Sequence, residues 1–340
     1  MPAIVDFPTV VKDALAIFGD LCDTEPARRH VAESLTGLMV AENTTVRGIN
    51  RACALTTDQS CLKRWLTEVE WDVTALHDRR LAWWQQAPQT RDSARGVMAM
   101  DNTLGEHTGT LIEDVGWFWD HADQRQVMAH DELIAHDVCP SKAHYPLAWR
   151  RLKKRDACAA QACTDHPAWC IALMDDVLKR ELPGDCTFES SFPSATGLNP
   201  IPSTQRGSVG DLKLNRQVVY EGREQTRQDV ARQMPGAAKQ PVRVGRRRYG
   251  YVRKQRRIPD VGHPVRIVVL WRERSDQEAR TALGSKRLGW AVMRLVLGYR
   301  HRWTGTETFH RDGKQPLGRG DCQVRSGAGP TRHVSLVSAA

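Results

Sequence analysis

The stretch Gly96-Val-Met-Ala-Met-Asp-Asn-Thr103 marks the point where the chain changes its periodicity. Upstream of it, apolar residues recur at intervals of three and four, which is typical of amphipathic helices. From Gly96 onward, a mostly apolar run ends in Asp101, and this pattern predicts a strand. A carboxylate at such a strand end faces the open edge of a sheet, where functional sites collect. The sequence therefore predicts an α/β fold with a helical N-terminus.

The N-terminal part of the chain, from about residue 8 to 90, shows few strand signals and is predicted to be helical. Two short helices are expected within it, at 45–54 and 58–69, joined by a tight turn. Thr56 and Gln59 have the spacing of a capping box at the start of the second helix.

The second of these short helices carries Lys63 and Arg64. Two short helices joined by a turn are compatible with a helix-turn-helix, whose second helix enters the major groove of DNA. They are equally compatible with an ordinary helical hairpin that has a solvated basic face. No base-contacting side chain can be identified, so the sequence leaves both interpretations open.

Downstream of Gly96, strand and helix patterns alternate. Such an order of elements favours an α/β layered domain. The predicted elements are strands at 115–119, 126–130, 186–190 and 266–271, and amphipathic helices at 166–182 and 288–303.

The composition is that of a globular protein, with 340 residues, 41% hydrophobic residues and 26% charged residues. This length predicts two or three domains. No stretch reaches the length of apolar sequence that a membrane span requires, and the N-terminus lacks a signal pattern. The nine cysteines are odd in number and scattered, which argues against a secreted disulfide framework. A cytoplasmic location is expected.

The formal net charge of +9 favours polyanionic partners. The excess is concentrated in residues 206–257, which hold 15 basic and four acidic residues. A run of charge is usually a solvated loop, but so much charge of one sign in one segment favours nucleic-acid binding. The candidates for phosphate contacts in this segment are Arg246, Arg247, Arg248 and Lys254.

Three carboxylates are candidates for a catalytic site. Asp101 ends one predicted strand, Glu189 lies in another, and Glu307 follows the last amphipathic helix. If residues from Glu307 onward are helical, Arg311 and Lys314 lie four and seven positions further on the same face. One acid and two bases on one face suit a site that must hold a metal ion and a phosphate together.

At these residues the sequence resembles the DDE-type transposases of bacterial insertion sequences. The most specific match is the segment 299–314. It is similar to that group's signature of Tyr, two residues, Arg, three residues, Glu, six residues and Lys. Tyr299, Arg302, Glu307 and Lys314 match it, although four residues rather than three separate Arg302 from Glu307. The stretches 98–103 and 187–190 resemble the family's first and second carboxylate strands.

The resemblance implies an RNase H-like mixed sheet flanked by helices, formed by residues 93–192 and 264–340. Residues 1–92 would form a helical DNA-binding domain, and residues 193–263 a basic strand-rich insertion. This arrangement would bring Asp101 and Glu307 within reach of one divalent cation.

The resemblance also implies metal-dependent cleavage and joining of DNA strands. Asp101, Glu189 and Glu307 would hold two Mg²⁺ or Mn²⁺ ions, one at the attacking oxygen and one at the leaving oxygen. By the same resemblance, Tyr299, Arg302 and Lys314 would contact the phosphates of the transposon end. Arg311 and the basic segment, predicted from helix spacing and from charge, would add further DNA contacts. The partners implied are inverted-repeat ends and target DNA, bound by a homodimer associated with the nucleoid.

Two departures from the family predict a weakened enzyme. Glu189 stands where the second Asp is expected, and its extra methylene displaces the carboxylate by about 1.5 Å, which is enough to disturb an octahedral Mg²⁺ site. Asp185 directly follows Pro183-Gly184 and is expected in a turn, so it is not a substitute. The chain also stops at Ala340, where similar transposases continue with further helix, and it resembles a C-terminally truncated copy.

Two other functions remain open at this stage. A noncatalytic remnant of the same fold would bind transposon ends and compete for them. An RNA-binding protein built around the basic segment would instead prefer single-stranded RNA to duplex DNA at matched salt.

Overall fold

A computed structural model describes residues 4–54, 56–93, 96–141, 143–153, 166–179, 185–188, 207–215, 217–256, 261–315 and 317–340. Its N-terminal part consists of helices packed on one another through their apolar faces. These helices are α1 (Thr9–Phe18), α2 (Glu25–Val40), α3 (Val46–Ala52), α4 (Gln59–Thr67) and α5 (Val73–Gln86).

Helices α3 and α4 confirm the two short helices predicted around Lys63 and Arg64. The predicted capping box of Thr56 and Gln59 is wrong. Asp58 caps α4 instead, because its carboxylate accepts the backbone N–H of Ser60 at 2.8 Å. The Thr56 hydroxyl accepts a hydrogen bond from the Asn50 side chain at 3.0 Å and is therefore engaged elsewhere.

The strands that follow contain between 4 and 14 residues and are mostly antiparallel. They are β1 (Val97–Glu106), β2 (Gly116–Asp120), β3 (Arg125–Val138), β4 (His144–Leu152), β5 (Asp185–Phe188), β6 (Ser208–Asp211), β7 (Gln217–Tyr220), β8 (Arg223–Thr226), β9 (Gln240–Val244), β10 (Arg247–Arg256), β11 (Val265–Trp271) and β12 (Thr281–Ser285).

One ten-stranded mixed sheet organises the molecule, in the order β2-β3-β1-β5-β6-β12-β11-β10-β9, with β4 also paired to β3. β5 runs parallel to β1, and β6 runs parallel to β5. The neighbouring pairs on either side of them are antiparallel. Strands from both sides of residue 263 pair with each other, so the basic segment extends the main sheet and forms its far edge.

The remaining helices are α6 (His166–Lys179), α7 (Arg227–Arg232), α8 (Val292–Arg302), α9 (Thr308–Lys314) and α10 (Ala328–Val337). A π-helical turn, Trp303–Glu307, connects α8 to α9 without a break.

Helices cover both faces of the central sheet, and β1 shows how the sequence produces this. Met98 and Met100 point to one face and pack with Leu173 of α6. Because side chains alternate along a strand, Asp101 points to the other face, where it contacts α8. With both faces covered, β1 is buried along most of its length, which explains its mostly apolar sequence.

The C-terminal segment returns to the N-terminal helices and completes their core. Val324, Leu336 and Val337 are buried in the same cluster as Leu35 and Leu66. The Arg332 side chain donates to the carbonyl of Leu66 at 3.0 Å, at the end of α4. None of the described helices combines the length and hydrophobicity needed to cross a bilayer.

Candidate functional site

Asp101 lies at the centre of the sheet and contacts a segment 201 residues further along the chain. The Arg302 guanidinium donates to its Oδ2 at 2.5 Å, and the Thr306 hydroxyl donates to the same oxygen at 3.0 Å. Its Oδ1 accepts the backbone N–H of Asn102 at 3.2 Å. Asp101 and Arg302 are only 6% and 4% exposed, so this is a buried ion pair.

Aromatic rings enclose the Arg302 side chain. Its guanidinium carbon lies 5.5 Å from the ring centre of Tyr299 and 5.9 Å from that of Trp303. These distances are within the range of cation–π attraction, which adds to the pull of the Asp101 carboxylate. Arg302, predicted from the sequence to contact DNA, is therefore held inside the protein in this structure.

A π-helical turn, Trp303–Glu307, directly follows Arg302. An α-helix closes each turn with an i→i+4 hydrogen bond, whereas a π turn closes with i→i+5 and contains one more residue. Gly305 allows this turn to lie against β3, because a Cβ atom there would be 2.5 Å from Cγ2 of Val138. Single π turns inside helices are frequent at functional sites.

The surface beyond the π turn carries the other predicted residues of the signature. Glu307 ends the turn and is exposed, and Arg311 and Lys314 are exposed on α9. The Arg311 guanidinium forms an ion pair with its neighbour Asp312 at 3.2 Å. These three side chains face solvent, whereas Asp101 and Arg302 are buried.

The second carboxylate strand is described only in part. Glu189 lies outside the described residues. Asp185, expected in a turn, is instead the first residue of β5 and is buried. That expectation is wrong because the Asp185 carboxylate forms ion pairs with two arginines. They are Arg287, which follows β12, at 3.1 Å and Arg294 on α8 at 3.7 Å.

A second buried ionic cluster, which sequence reasoning missed, lies on the same face as Asp101. Glu132 on β3 is paired with Arg151 at 3.3 Å and with Arg319 at 2.6 Å. Burial would raise the pKa of the Glu132 carboxyl, but the two arginine charges outweigh burial and hold it below its ordinary value. Arg319 lies among glycines in a turn, a context in which arginine is normally exposed, so no sequence signal marks it.

Two buried histidines lie next to these clusters. The rings of His136 on β3 and His310 on α9 are 5.9 Å apart, and no nitrogen of either ring has a hydrogen-bond partner in the described structure. Burial is the main cause that lowers the pKa of both rings well below the ordinary histidine value. Both imidazoles are therefore neutral at physiological pH.

The described residues include two of the three carboxylates suggested for a divalent-cation site, Asp101 and Glu307. They contain no group of three or more His, Cys, Asp or Glu side chains placed to hold a metal ion. Oδ2 of Asp101 already accepts from Arg302 and Thr306, so a cation would have to displace a positive charge. Metal binding by Asp101, Glu189 and Glu307 stays a prediction.

The basic residues of the 206–257 segment lie at the far edge of the sheet. Arg246 is in the turn between β9 and β10, and Arg247, Arg248 and Lys254 are on β10, all with exposed side chains. Sequence reasoning missed three arginines that join them in space: Arg272, Arg274 and Arg280, which lie between β11 and β12. They fall outside the segment of highest charge, and only the strand pairing brings them close.

Lys63 and Arg64 are exposed on α4, as a base-contacting helix would require. Lys63 also lines a cleft of about 630 Å³ between α3, α4 and the segment before α10, together with Arg47 and Arg325. The C-terminal segment therefore forms one wall of the space that faces this helix.

The chain matches no protein-family model, and no curated protein matches it.

Proposed function

We propose that this chain is a DNA transposase of the DDE type, which cleaves and joins strands at transposon ends. One observation carries the proposal. Asp101 and Arg302 belong to the two segments that most resemble this family, and they are in direct contact although 201 residues separate them in sequence.

The sheet supports the same proposal. Strands β1 and β3 are antiparallel, and β5 and β6 are then added parallel to β1. An RNase H-like mixed sheet flanked by helices is compatible with this combination. The candidate carboxylate Asp101 lies on the central strand of this part of the sheet.

The charge distribution supports DNA as the partner. The chain carries a net charge of +9, and its exposed arginines are concentrated along the β9–β10 edge. Arg311 and Lys314 add exposed basic groups directly beyond the π turn. The proposal includes a homodimer on paired transposon ends, in the cytoplasm and on the nucleoid.

A noncatalytic DNA-binding protein is the second candidate, and the Asp101–Arg302 pair favours it. A carboxylate neutralised by a buried guanidinium is a structural partner of the helix, and this is the role that its geometry supports. Such a chain would keep the DNA-binding surfaces of a transposase and occupy its ends without cutting them.

A cleavage experiment separates the two candidates. The substrate is a labelled duplex that carries the inverted repeats flanking the gene, incubated with the full chain and Mn²⁺. A transposase nicks the repeat boundary, the variant Glu307→Gln at an exposed position does not, and the Glu189→Asp variant nicks faster because the shorter side chain restores the expected Asp. Repeat-specific binding without nicking by any of the three proteins would establish the noncatalytic candidate. Absence of repeat-specific binding would contradict both.

A further inference from the structure

Five arginines converge on one concave surface at the far edge of the sheet. This surface, here named the arginine cradle, has a volume of about 970 Å³ and also contains Tyr249 and Glu273. Its arginines come from two elements that are distant in sequence, namely β10 and the loop between β11 and β12. They are Arg247, Arg248, Arg272, Arg274 and Arg280.

The loop that carries three of these arginines is anchored to the sheet. Trp271, fully buried at the start of the loop, donates its indole N–H to the carbonyl of Gln277 at 3.2 Å. The buried Lys239 lies 4.5 Å from the Trp271 ring centre and donates to the carbonyl of Asp276. Arg274 crosses directly over Gly250 of β10, where a Cβ atom would lie 3.1 Å from Cα of Arg274. The cradle is therefore a preformed surface.

The charge of the cradle is not balanced by the protein. Glu273 is the one acid among the side chains that line it. Within the part of the chain that the structure describes, none of the five arginines forms an ion pair. Like charges held close together repel one another and raise the free energy of the folded state, and a bound polyanion removes this cost.

We propose that the arginine cradle binds the phosphodiester backbone of duplex DNA as a second contact surface, separate from the Asp101 site. Guanidinium groups suit this ligand because their planar donors match phosphate oxygens in pairs. The pocket is as large as a small-molecule site, but its walls are charged where such sites are mainly apolar. Exposed Arg243 and Arg246 continue the positive surface along the β9–β10 hairpin, as an extended ligand requires.

The sheet sets the distance between the two surfaces. Five strand spacings of about 4.8 Å separate β10 from β1, so the cradle lies roughly 24 Å across the sheet from Asp101. At 3.4 Å per base pair, this distance corresponds to about seven base pairs of duplex. A duplex bound at the cradle would therefore have to extend over about this length for its end to approach the surface beyond the π turn.

The test compares two double variants of the full chain that lose the same charge. Arg272→Gln with Arg280→Gln removes two cradle residues outside the 206–257 segment. Arg91→Gln with Lys179→Gln removes two exposed basic residues outside both proposed DNA contact surfaces, one between α5 and β1 and one at the end of α6. Affinity for a short duplex of random sequence is measured from about 50 to 200 mM salt, with thermal unfolding as the check on folding.

We expect the cradle variant to lower the slope of log affinity against log salt by about 1.8, or about 0.9 for each lost phosphate contact. The control variant should leave the slope unchanged. Equal slopes for the two variants would overturn the proposal. So would a stronger, cradle-dependent affinity for inorganic tripolyphosphate or for single-stranded RNA of the same length.

The inference rests on the proposed DNA-binding function, but its test contains no transposon end. Failure of repeat-specific cleavage would leave the slope comparison intact. If the substitutions at Arg272 and Arg280 left the salt slope unchanged while cleavage at the repeats stayed normal, only the proposal for the cradle would be refuted.

Discussion

The Asp101–Arg302 pair shows how much one buried charge depends on another. Taking either ion out of water costs several kcal/mol, which only its partner and hydrogen bonds such as that from Thr306 offset. Removing one partner leaves the other charge buried and uncompensated. Replacing both by apolar side chains removes the attraction and the desolvation cost together.

We therefore expect Asp101→Leu and Arg302→Met each to lower the free energy of unfolding by about 3–5 kcal/mol. The double variant Asp101→Leu with Arg302→Met should lose less than either single variant. Urea unfolding followed by circular dichroism measures all three. If the double variant lost the sum of the two single losses, the pair would not be coupled and the buried ion pair would be contradicted.

His136 and His310 make the fold sensitive to acid. Burial lowers the pKa of both rings well below the value near 6.5 that they have in the unfolded chain. The unfolded chain therefore binds more protons than the native protein below about pH 6.5, and the free energy of unfolding falls as the pH falls. Their charged neighbours add to this, because the cations Arg319, Lys314, Arg302 and Arg80 oppose a second positive charge.

We expect the urea midpoint of the native chain to drop between pH 7.5 and pH 5. In the double variant His136→Leu with His310→Leu this drop should be smaller, because the unfolded state no longer gains two protons. His121→Leu, at an exposed position in the turn after β2, is the matched control and should keep the full drop. An identical drop in the double variant would show that other groups cause the acid sensitivity.

Among the elements, the π turn between α8 and α9 contains one residue more than an α-helical turn would. One residue inserted into a regular helix rotates everything after it by about 100°. A π turn absorbs the insertion locally, so α8 and α9 both keep their contacts with the sheet. Removing one residue from the turn should therefore convert it to an α turn at little cost.

The matched test deletes one residue inside the turn or one inside α8. Deletion of Thr304 should keep the helix content and most of the stability. Deletion of Leu297 should unfold the protein, because it moves either Leu295 and Val296 or Arg302 out of register, and all three are buried. Circular dichroism and the urea midpoint report both. Equal losses from the two deletions would contradict the idea that the π turn accommodates the extra residue.

Several elements could be predicted from the sequence because their patterns are local. The β1 strand after Gly96 and the short helices α3 and α4 follow from the spacing of apolar residues. Asp185 was assigned to a turn because Pro183-Gly184 precedes it, yet Arg287 and Arg294 hold it at the start of β5. The partners that decide its conformation lie about 100 positions away, and no local pattern contains them.

The sequence predicts several residues of the candidate site, but it does not predict that Asp101 and Arg302 form a buried ion pair. The sequence predicts Asp101 and the segment with Glu307, but the resemblance assigns Arg302 to the DNA of transposon ends, whereas the structure buries its side chain. Its burial depends on one available carboxylate, Asp101, on the facing strand. The arginines around β11 and β12 were missed for a related reason, since only strand pairing makes them neighbours of Arg247 and Arg248.

For the molecule as a whole, the basic segment is not a detachable module. Strands β6, β9 and β10 continue the same sheet as β1 and β11, so removing residues 206–257 would destroy that sheet along with the charge. Point substitutions of surface arginines therefore give a cleaner measure of DNA contacts than a deletion does.

The N-terminal helices and the C-terminal segment form a second unit with a shared core. Val324, Leu336 and Val337 are buried among the N-terminal helices. At about 1.5–3 kcal/mol for each buried aliphatic side chain, their contribution is comparable with the whole stability of a typical domain, about 5–15 kcal/mol. Polar contacts connect the same parts, including Thr44 with Asp321 at 2.6 Å and Arg80 with the carbonyl of Ser338 at 3.0 Å.

We therefore expect the isolated fragment 1–92 to lack a cooperative urea transition, because its apolar face has lost part of its core. A fusion of residues 1–92 to 317–340 through a flexible Gly/Ser linker should recover it, since both halves of the core are then present. The same fusion with Leu336→Asp and Val337→Asp is the matched control and should behave like the fragment. Cooperative unfolding of fragment 1–92 alone, at the midpoint of the fusion, would show that the N-terminal helices fold without the C-terminal segment.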